Sequence, residues 1–407
     1  MSKLSTSLVV ALGLLAFTGC KKKKEEGTVQ KPVEGSAAMQ PPPPPQPEPE
    51  KPMAGADLAA KYQKCVGMVN DNKLDDFRKD CIDDAYKMHD MGMGQDHAGP
   101  DSLLGYIKAM KTAMPDWKIA PQLIMVSGRN ILVIELVTGT QSGELAMPNM
   151  PPVPATNKKV GTFEFLRLTI SDQNKATEEW AYTDPSTMMG QLGLAPKGAP
   201  PTRPAADKGM DGAPIVVVTA DDDKEKKNLE AYKKGMDAFN AHKLPDLMAA
   251  FTDDALGSDQ AMEKDDKGKK EVEASMKALI TGFSDGKVTA TDTFAAGDWV
   301  VVIGKFEGTH DHDFMKIKKT GKKVSLDYVE VAMLKDAKTS QVWRFHSGMQ
   351  FMTQLGLMPA PGAAPAGAGS AAAPAAGSAA AAPAGEKKGE KKAEKKAEKA
   401  EKAPEKK

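Results

Sequence analysis

One segment of this chain occurs twice, and the duplication constrains the fold more than any other feature. The first copy, residues 178–194, reads EEWAYTDPSTMMGQLGL, and the second, residues 342–357, reads VWRFHSGMQFMTQLGL. A tryptophan stands near the start of each copy, and Gln-Leu-Gly-Leu closes each at the same spacing. Self-similarity of this kind predicts one structural unit written in tandem.

Further landmarks recur in the same order and extend the duplication over two full units. Residues 70–85 match residues 240–255, where both segments share the pattern N-x-x-K-L-x-D followed later by D-D-A. Gly-Thr and Lys-Lys-Val each recur as well, at 139–140 and 308–309 and at 158–160 and 322–324. A chain of 407 residues is long enough for two or three domains. We therefore predict a first domain over 57–196 and a second over 224–358.

Within the first unit, helical patterns come before strand patterns. Apolar residues at helical spacing predict helices over 57–70, 74–85 and 100–114. Runs rich in β-branched and aromatic residues then predict strands over 117–126, 131–140, 158–171 and 177–183, with a closing helical turn at 188–192. Helices followed by a meander indicate the α+β class, here a curved antiparallel sheet covered by about three N-terminal helices in each domain.

The first 20 residues have the pattern of an export signal. Lys3 precedes an apolar run over residues 8–17, and small residues then lead to Cys20. The segment LAFTGC resembles a bacterial lipobox, which implies cleavage after residue 19 and a lipid on Cys20 that anchors the chain in a membrane. Lys21 after the cysteine favours the outer membrane, facing the periplasm. An ordinary cleaved signal is the alternative.

Pro-, Ala- and Lys-rich segments flank the two units and bury no core. We interpret residues 20–56, with the run Pro41–Pro45, as an extended tether. Residues 197–223 read as a linker, except that the apolar run at 214–219 predicts an edge strand. The tail, residues 359–407, ends in Lys/Glu repeats that suit an anionic polymer of the envelope or plain solvation. Lysine plus arginine balance aspartate plus glutamate at 55 each, so overall charge does not point to nucleic acid.

The cysteines suggest a single disulfide. Lipid on Cys20 leaves Cys65 and Cys81, an even pair in an exported and oxidising setting. They lie on either side of the turn between the first two predicted helices, where a helical hairpin lets them face each other. Two buried free thiols are the alternative.

Two clusters have residue types that bind metals. Met88–Met93 with His97 combines thioether and imidazole, which suit copper, and His310–Asp313 places two histidines where zinc is a candidate. Methionine is also a common core filler, and the second cluster follows a strand end where a hairpin tip is expected. Neither cluster supplies a third and fourth ligand, so we predict no metal and no cofactor.

Several landmarks together resemble the SnoaL-like polyketide cyclase branch of the nuclear transport factor 2-like superfamily. They are His89-Asp90, Met114-Pro115-Asp116-Trp117, Gly139-Thr140, Glu179-Trp180 with Asp184, and Gln191-Leu192-Gly193. The resemblance implies a cone of curved sheet closed by three helices around a pocket. It also implies relatives that include cyclases, isomerases, dehydratases and non-catalytic binding modules.

The resemblance further implies that Asp184 serves as a general acid/base with His89 as its partner, in a pocket lined by Trp180 and Tyr182. Alternatively, Asp184 caps a helix that begins at Pro185. In the second copy Trp343 and Phe345 are the corresponding pocket residues. There we align His89 with Asp259 and Asp184 with Ser347, so the acid/base is lost and the second pocket is expected to be non-catalytic.

Three functions remain open at this point. The favoured one is non-catalytic binding of a small apolar ligand or a partner protein by a lipid-anchored envelope protein. The alternatives are a cyclase- or isomerase-type enzyme using Asp184 and His89, and a purely structural envelope module. An enzyme needs Asp184 in a pocket near His89, a binder needs an open apolar cavity, and a structural module needs two filled cones.

Overall fold

The computed structural model describes residues 51–146, 152–196, 199–212 and 214–358. The export signal with Cys20, most of the Pro-rich tether and the Lys-rich tail lie outside the described residues. Within the described part, no helix is long and apolar enough to cross a membrane.

The first unit begins with helices and continues as a sheet. Its elements are α1 Ala56–Asn70, α2 Leu74–Cys81, β1 Ile82–Asp90, β2 Gln95–Ala98, α3 Pro100–Ala113, β3 Lys118–Ser127, β4 Asn130–Thr140, β5 Lys159–Ile170, β6 Ala176–Tyr182, α4 Pro185–Gln191 and β7 Ile215–Val218.

The second unit repeats this order, and a counterpart of β7 is absent from the residues described, which end at 358. Its elements are α5 Asp223–Asn240, α6 Leu244–Ala249, β8 Phe251–Asp259, β9 Asp266–Lys267, α7 Lys269–Gly282, β10 Lys287–Ala296, β11 Trp299–Thr309, β12 Lys323–Lys335, β13 Lys338–His346 and α8 Gly348–Gln354.

Each unit forms one sheet. The first has the order β2-β1-β6-β5-β4-β3-β7 and the second the order β10-β11-β12-β13-β8-β9. Neighbouring strands are antiparallel except for the parallel pairs β1–β6, β3–β7 and β13–β8. The helices cover the inner face of each sheet and enclose a separate core in each unit. The predicted α+β class and the tandem arrangement are confirmed.

One predicted helix is shorter than expected, and a strand replaces its end. Helix α2 stops at Cys81, and the chain continues as β1, which pairs in parallel with β6. Residues 82–90 read IDDAYKMHD. Few of these side chains are β-branched, so the local β propensity does not predict a strand. Pairing with β6 and burial of Ile82, Tyr86 and Met88 stabilise it instead.

The apolar run in the linker forms β7 at the edge of the first sheet. Residues 215–218 pair in parallel with Leu123–Val126 of β3. The preceding linker also lies on the first unit, since the amide of Ala206 donates to the carbonyl of Gly161 and the amide of Met210 donates to Oε1 of Gln122. This part of the linker is therefore built into the first domain.

A third apolar layer lies between the outer faces of the two sheets. Its buried members are Leu123, Met125, Leu132, Ile134, Phe165, Tyr182, Ala296, Trp299, Val301, Ile303, Val329, Val331, Trp343 and Phe345. We call it the intersheet layer. Both faces of the central strands are consequently buried, which explains why β4 and β11 read as continuous apolar runs instead of alternating patterns.

Polar contacts surround the intersheet layer and connect the two units. Arg167 forms an ion pair with Asp292 at 2.6 Å, and Arg203 of the linker forms one with Asp265 at 2.7 Å. The hydroxyl of Ser347 donates to the carbonyl of Gly92 at 2.7 Å. These contacts hold the two sheets in one arrangement.

Candidate ligand cavity of the first domain

Three glutamates lie on the inner face of the first sheet, on neighbouring strands. Glu135 is on β4, Glu164 on β5 and Glu179 on β6. Since side chains alternate along a strand, the residues beside them, among them Ile134 and Phe165, point to the outer face and join the intersheet layer.

The glutamates face a cavity of about 130 Å³ enclosed by the helices and the sheet. Most of the wall is apolar, including Leu58, Val66, Ile107, Val137, Leu168 and Ile170. A cleft with an apolar wall and a few convergent polar groups is the usual form of a small-molecule site.

Tyrosines hold two of the three carboxyl groups. The hydroxyl of Tyr62 donates to Oε2 of Glu135 at 2.6 Å, and the hydroxyl of Tyr86 donates to Oε2 of Glu179 at 2.7 Å. Glu164 accepts a long hydrogen bond, 3.4 Å, from the hydroxyl of Thr162. Its carboxyl group is the least restrained of the three.

Burial disfavours the charged form of these carboxyl groups. It raises the pKa of Glu135 to about 8, although the hydrogen bond from Tyr62 acts in the opposite direction. Burial likewise raises the pKa of Glu164 to about 7, and it raises the pKa of Glu179. Near neutral pH the cavity therefore holds carboxyl groups that gain or lose protons readily.

The cavity wall also contains an indole without a hydrogen-bond partner. Trp117 is 5% exposed and lines the cavity. Its Nε1 is buried and has no acceptor among the described residues. An unsatisfied buried donor costs about 1–3 kcal/mol, so an acceptor brought by a ligand would stabilise this position.

The disulfide lies in the same wall. Cys65 of α1 and Cys81 of α2 are joined, with their Cα atoms 6.0 Å apart, and both line the cavity. The bond fixes the α1–α2 hairpin over the inner face of the sheet.

Asp184 does not lie in the cavity. Its carboxylate accepts hydrogen bonds from the amides of Ser186 and Thr187 and so caps α4. It also accepts from the amide of Gly348, the first residue of α8, at 3.0 Å. This carboxylate therefore bonds the first residues of α4 in one domain and of α8 in the other. Asp184 is a helix cap, which was the alternative hypothesis for this residue.

His89 is on the outer face of the first sheet. Its Nδ1 is 2.8 Å from Asp96 and its Nε2 is 3.0 Å from Glu178, and its ring stacks on Trp180. Burial alone would lower the pKa of His89, but the hydrogen bonds with Glu178 and Asp96 raise it. His89 and Asp184 thus have separate hydrogen-bond partners, and neither of them lines the cavity.

The predicted pocket residues also lie outside the cavity. Tyr182, Trp343 and Phe345 belong to the intersheet layer, and Trp180 packs against it. Strand alternation places Trp180, Tyr182 and Asp184 on one face, as expected, but that face is the outer one. The inner positions are Glu179 and Ala181, and the sequence signal for the cavity face was Glu135, a single glutamate in the apolar run of β4.

Comparison with a family model decides the family. The model for the SnoaL-like polyketide cyclase matches residues 56–192 and 230–355, which together make up more than half of the chain. The chain belongs to the SnoaL-like family. Both matched ranges fall within the two observed domains, so the chain contains two SnoaL-like domains in tandem.

Solved structures resemble a single SnoaL-like domain of this chain. A SnoaL-like polyketide cyclase from Jannaschia sp. CCS1 is 20% identical, with a TM-score of 0.32, and the match covers 37% of this chain and 100% of that one. The hydroxylase AclR from Streptomyces galilaeus is 20% identical, with a TM-score of 0.30 and coverage of 33% and 88%. The polyketide cyclase IdmH from Streptomyces antibioticus is 19% identical, with a TM-score of 0.29 and coverage of 32% and 98%. Among curated proteins, none matches this chain.

In the second SnoaL-like domain aromatic side chains pack in the interior. Phe283, Phe314 and Phe351 pack against one another inside it. The inner face also carries an ionic network in which Arg344 binds Glu330 at 2.5 Å and lies 3.5 Å from Asp259. Arg344 and Glu330 stand at the positions of Ala181 and Leu166, which line the cavity of the first domain.

The strand register corrects one alignment between the two SnoaL-like domains. His89 lies opposite Trp180, whereas Ser258 lies opposite Trp343. The counterpart of His89 is therefore Ser258, and Asp259 corresponds to Asp90. Ser347 does correspond to Asp184, because its hydroxyl caps α8 by accepting from the amide of Gln350.

The metal candidates remain apart in this SnoaL-like chain. His310 is fully buried beside Thr320, while His312 is exposed next to Asp311. Met88 lines the cavity, but His89 points to the outer face. Within the described ranges, no group of three or more His, Cys, Asp or Glu residues is arranged to hold a metal ion.

Proposed function

We propose that the first SnoaL-like domain binds a small, mostly apolar molecule, and that the second domain supports it structurally. The observation that carries this proposal is the cavity of about 130 Å³ with its apolar wall and three convergent carboxyl groups. In the second domain the ion pair of Arg344 and Glu330 takes the positions of Ala181 and Leu166, so we assign the ligand site to the first domain.

The size of the cavity limits the ligand. An engineered apolar cavity of about 150 Å³ in another protein binds benzene. A molecule with one ring, or an aliphatic molecule of similar volume, is therefore the expected occupant.

Titration with toluene, followed by calorimetry and by NMR of the tryptophan indole signals, tests this proposal. We expect saturable binding with one site per chain and a shift of the Trp117 signal. Val66→Phe fills the cavity from α1 and should abolish binding. Val218→Phe, a matched change at an exposed position of β7, should leave binding intact. Binding that survives Val66→Phe would place the ligand elsewhere.

A second candidate is an isomerase-type enzyme that uses the cavity glutamates in place of Asp184 and His89. The observation that favours it is a carboxyl group with a pKa of about 7 in an apolar cavity, which suits proton transfer at carbon. Conversion of cyclohex-3-enone to its conjugated isomer, followed by ultraviolet absorbance, tests it. Loss of the rate in Glu164→Gln supports this candidate, and equal rates in wild type and variant refute it.

The proposed location is the cell envelope, with a lipid on Cys20 and the outer membrane facing the periplasm as the site of attachment. The apolar run before Cys20 and Lys21 after it support this proposal. Metabolic labelling with an alkyne-bearing fatty acid tests it. We expect label on the wild type and on Cys65→Ala, and none on Cys20→Ala. Label that persists in Cys20→Ala would contradict lipidation at this residue.

The Lys-rich tail is the proposed contact with an anionic envelope polymer. Residues 386–407 are rich in lysine and basic overall. Deleting them should weaken sedimentation of the protein with lipoteichoic acid or lipopolysaccharide at low salt. Unchanged sedimentation would contradict this contact and favour the alternative that the tail is only solvated.

A further inference from the structure

We infer that the ligand of the first domain is a cation, a small protonated amine carried on an apolar body. The inference rests on the proposed function and specifies the chemistry of the same cavity. The comparison of the two domains supports it, since one interior contains its own cation and the other has an alanine at that position and three carboxyl groups in the same cavity.

In the second domain the chain supplies the positive charge itself. Arg344 lies directly after Trp343 on β13 and points inward, where it binds Glu330 at 2.5 Å. The hydroxyl of Tyr232 donates to the same Glu330 at 2.6 Å, and His346 pairs with Asp259 at 3.1 Å. Every carboxylate of this network therefore has a basic partner, as buried charges require.

In the first domain the position of Arg344 is occupied by Ala181. Ala181 lies directly after Trp180 on β6 and lines the cavity. The methyl side chain leaves the space open and provides no charge. Glu135 and Glu179 accept from tyrosine hydroxyls, and Glu164 has the long contact with Thr162 described above. An amine that enters the cavity takes the role that the Arg344 guanidinium has in the second domain.

The unpartnered indole of Trp117 indicates, independently of the carboxyl groups, that a ligand completes this cavity; it needs an acceptor and carries no information on the cation, because an ammonium group only donates. Its buried Nε1 donor lacks an acceptor among the described residues. The groups that titrate or carry charge around the cavity come from six helices and strands. They are Lys61 and Tyr62 of α1, Tyr86 and Asp90 of β1, Tyr106 of α3, Glu135 of β4, Glu164 of β5 and Glu179 of β6. Carboxyl groups are thus in excess over the basic side chain of Lys61.

Binding of the amine is coupled to release of a proton. Without a ligand, burial raises the pKa of Glu164 to about 7 and that of Glu135 to about 8, so part of the population is protonated at neutral pH. The ammonium group stabilises a carboxylate, and the displaced proton goes to bulk water. The affinity for an amine should therefore increase from pH 6 to pH 8.

Calorimetry on the full mature chain with benzylamine, toluene and benzoate tests the inference. We expect benzylamine to bind at least about tenfold more tightly than toluene, and benzoate not to bind. Titration in phosphate and in Tris should give enthalpies that differ by the release of up to about one proton for each amine bound.

Two matched variants examine the role of charge at position 181. Ala181→Arg introduces the cation of the second domain, and Ala181→Met adds similar bulk without charge. Both substitutions should weaken toluene binding to the same extent because both fill space in the cavity, and benzylamine should bind at least about tenfold more weakly to Ala181→Arg than to Ala181→Met. Should Ala181→Arg fail to fold, Glu164→Gln serves in its place, and it should reduce proton release and the preference for benzylamine.

The outcomes separate this inference from the proposed function. Equal affinities for benzylamine and toluene, without proton release, would overturn the amine and leave the apolar ligand site in place. Failure of all three compounds to bind would overturn both proposals. Tighter binding of benzoate than of benzylamine would also refute a cationic ligand.

Discussion

At the scale of single residues, a few inward-facing positions decide which domain is open. Ala181 and Leu166 line the cavity of the first domain, whereas the second domain has Arg344 and Glu330 at the corresponding positions. The fold is the same, but a methyl group leaves space that a guanidinium fills. Similar backbones therefore enclose an empty interior in one domain and an ion pair in the other.

The buried glutamates make the stability of the first domain depend on pH. Because the folded pKa values of Glu135 and Glu164 are raised above about 4.5, the stabilisation is fully present below pH 4.5 and is lost as the pH rises toward 7 to 8. In Glu164→Gln the free energy of unfolding should fall less steeply with pH, by up to about 1.4 kcal/mol per pH unit. Urea titrations at pH 5, 6, 7 and 8 measure the slopes, and identical slopes in both proteins would contradict the burial of a titrating Glu164.

The Asp184 cap can be separated from catalysis by two substitutions. Ala at this position removes the acceptor for the amides of Ser186, Thr187 and Gly348 and should cost about 1–2 kcal/mol of stability. Asp184→Asn retains a capping oxygen and should cost much less. Toluene binding should be unchanged in Asp184→Asn. If Asp184→Asn lost toluene binding but kept its stability, Asp184 would have to be part of the ligand site.

The sequence predicted which side chains of β6 share a face, but it did not predict which face points into the cavity. Alternation correctly placed Trp180, Tyr182 and Asp184 together, yet the pattern is the same whichever face is turned inward. Both faces of β6 are buried, so hydrophobicity does not distinguish them. Only the packing of the second sheet on the first shows that the aromatic face lies between the domains.

At the scale of elements, the α1–α2 hairpin forms the helical side of the cavity, and the disulfide restrains it. Cys65 and Cys81 are separated by 16 residues in the chain. The rest of the wall belongs to a sheet that is held by its own ladder and by the intersheet layer. Changes in the cavity are thus expected to arise from the helices.

Removing the disulfide should weaken the fold and the ligand site together. For a loop of about 15 residues, loop-closure entropy corresponds to about 3 kcal/mol. The double variant Cys65→Ala/Cys81→Ala should lose stability of this order in chemical denaturation and should bind toluene more weakly. Each single variant is the control for the loss of a buried sulfur. A double variant as stable as wild type would show that the sheet alone fixes the hairpin.

The elements themselves were predictable to different degrees. Helices α1 and α3 and strands β3 to β6 follow local periodicity, and the run at 214–219 was recognised as a candidate edge strand. Strand β1 was missed because its sequence has weak β propensity and depends on pairing with β6, which lies about 90 residues away in the chain. A parallel partner so distant leaves no local signal.

At the scale of the whole molecule, the intersheet layer joins the cores of the two SnoaL-like domains, and we expect the domains to unfold together. Val331 is fully buried there and touches neither cone interior. Val331→Asp should lower the melting temperature of both domains in one transition, because an unpaired buried charge is strongly destabilising. Val218→Asp introduces the same group at an exposed edge and should have little effect. Separate melting of the two domains in the wild type would show that they fold independently.

Both the duplicated landmarks and the class of fold were evident in the sequence, and they predicted the tandem architecture. The packing of one sheet on the other was not predicted, because continuous apolar runs in β4 and β11 suit any strand that is buried on both faces. The sequence also did not predict which domain contains a cavity, since cavity volume depends on how side chains from several elements pack together.

Xenon pressurisation of crystals of the full chain tests the central claim most directly, because xenon enters apolar cavities without needing a specific hydrogen bond. We predict a xenon site in the first domain between Val66, Trp117 and Leu168, and none inside the second domain among Phe283, Phe314 and Phe351. An empty first domain, or equal xenon occupancy in both, would contradict a single open cone supported by a filled one.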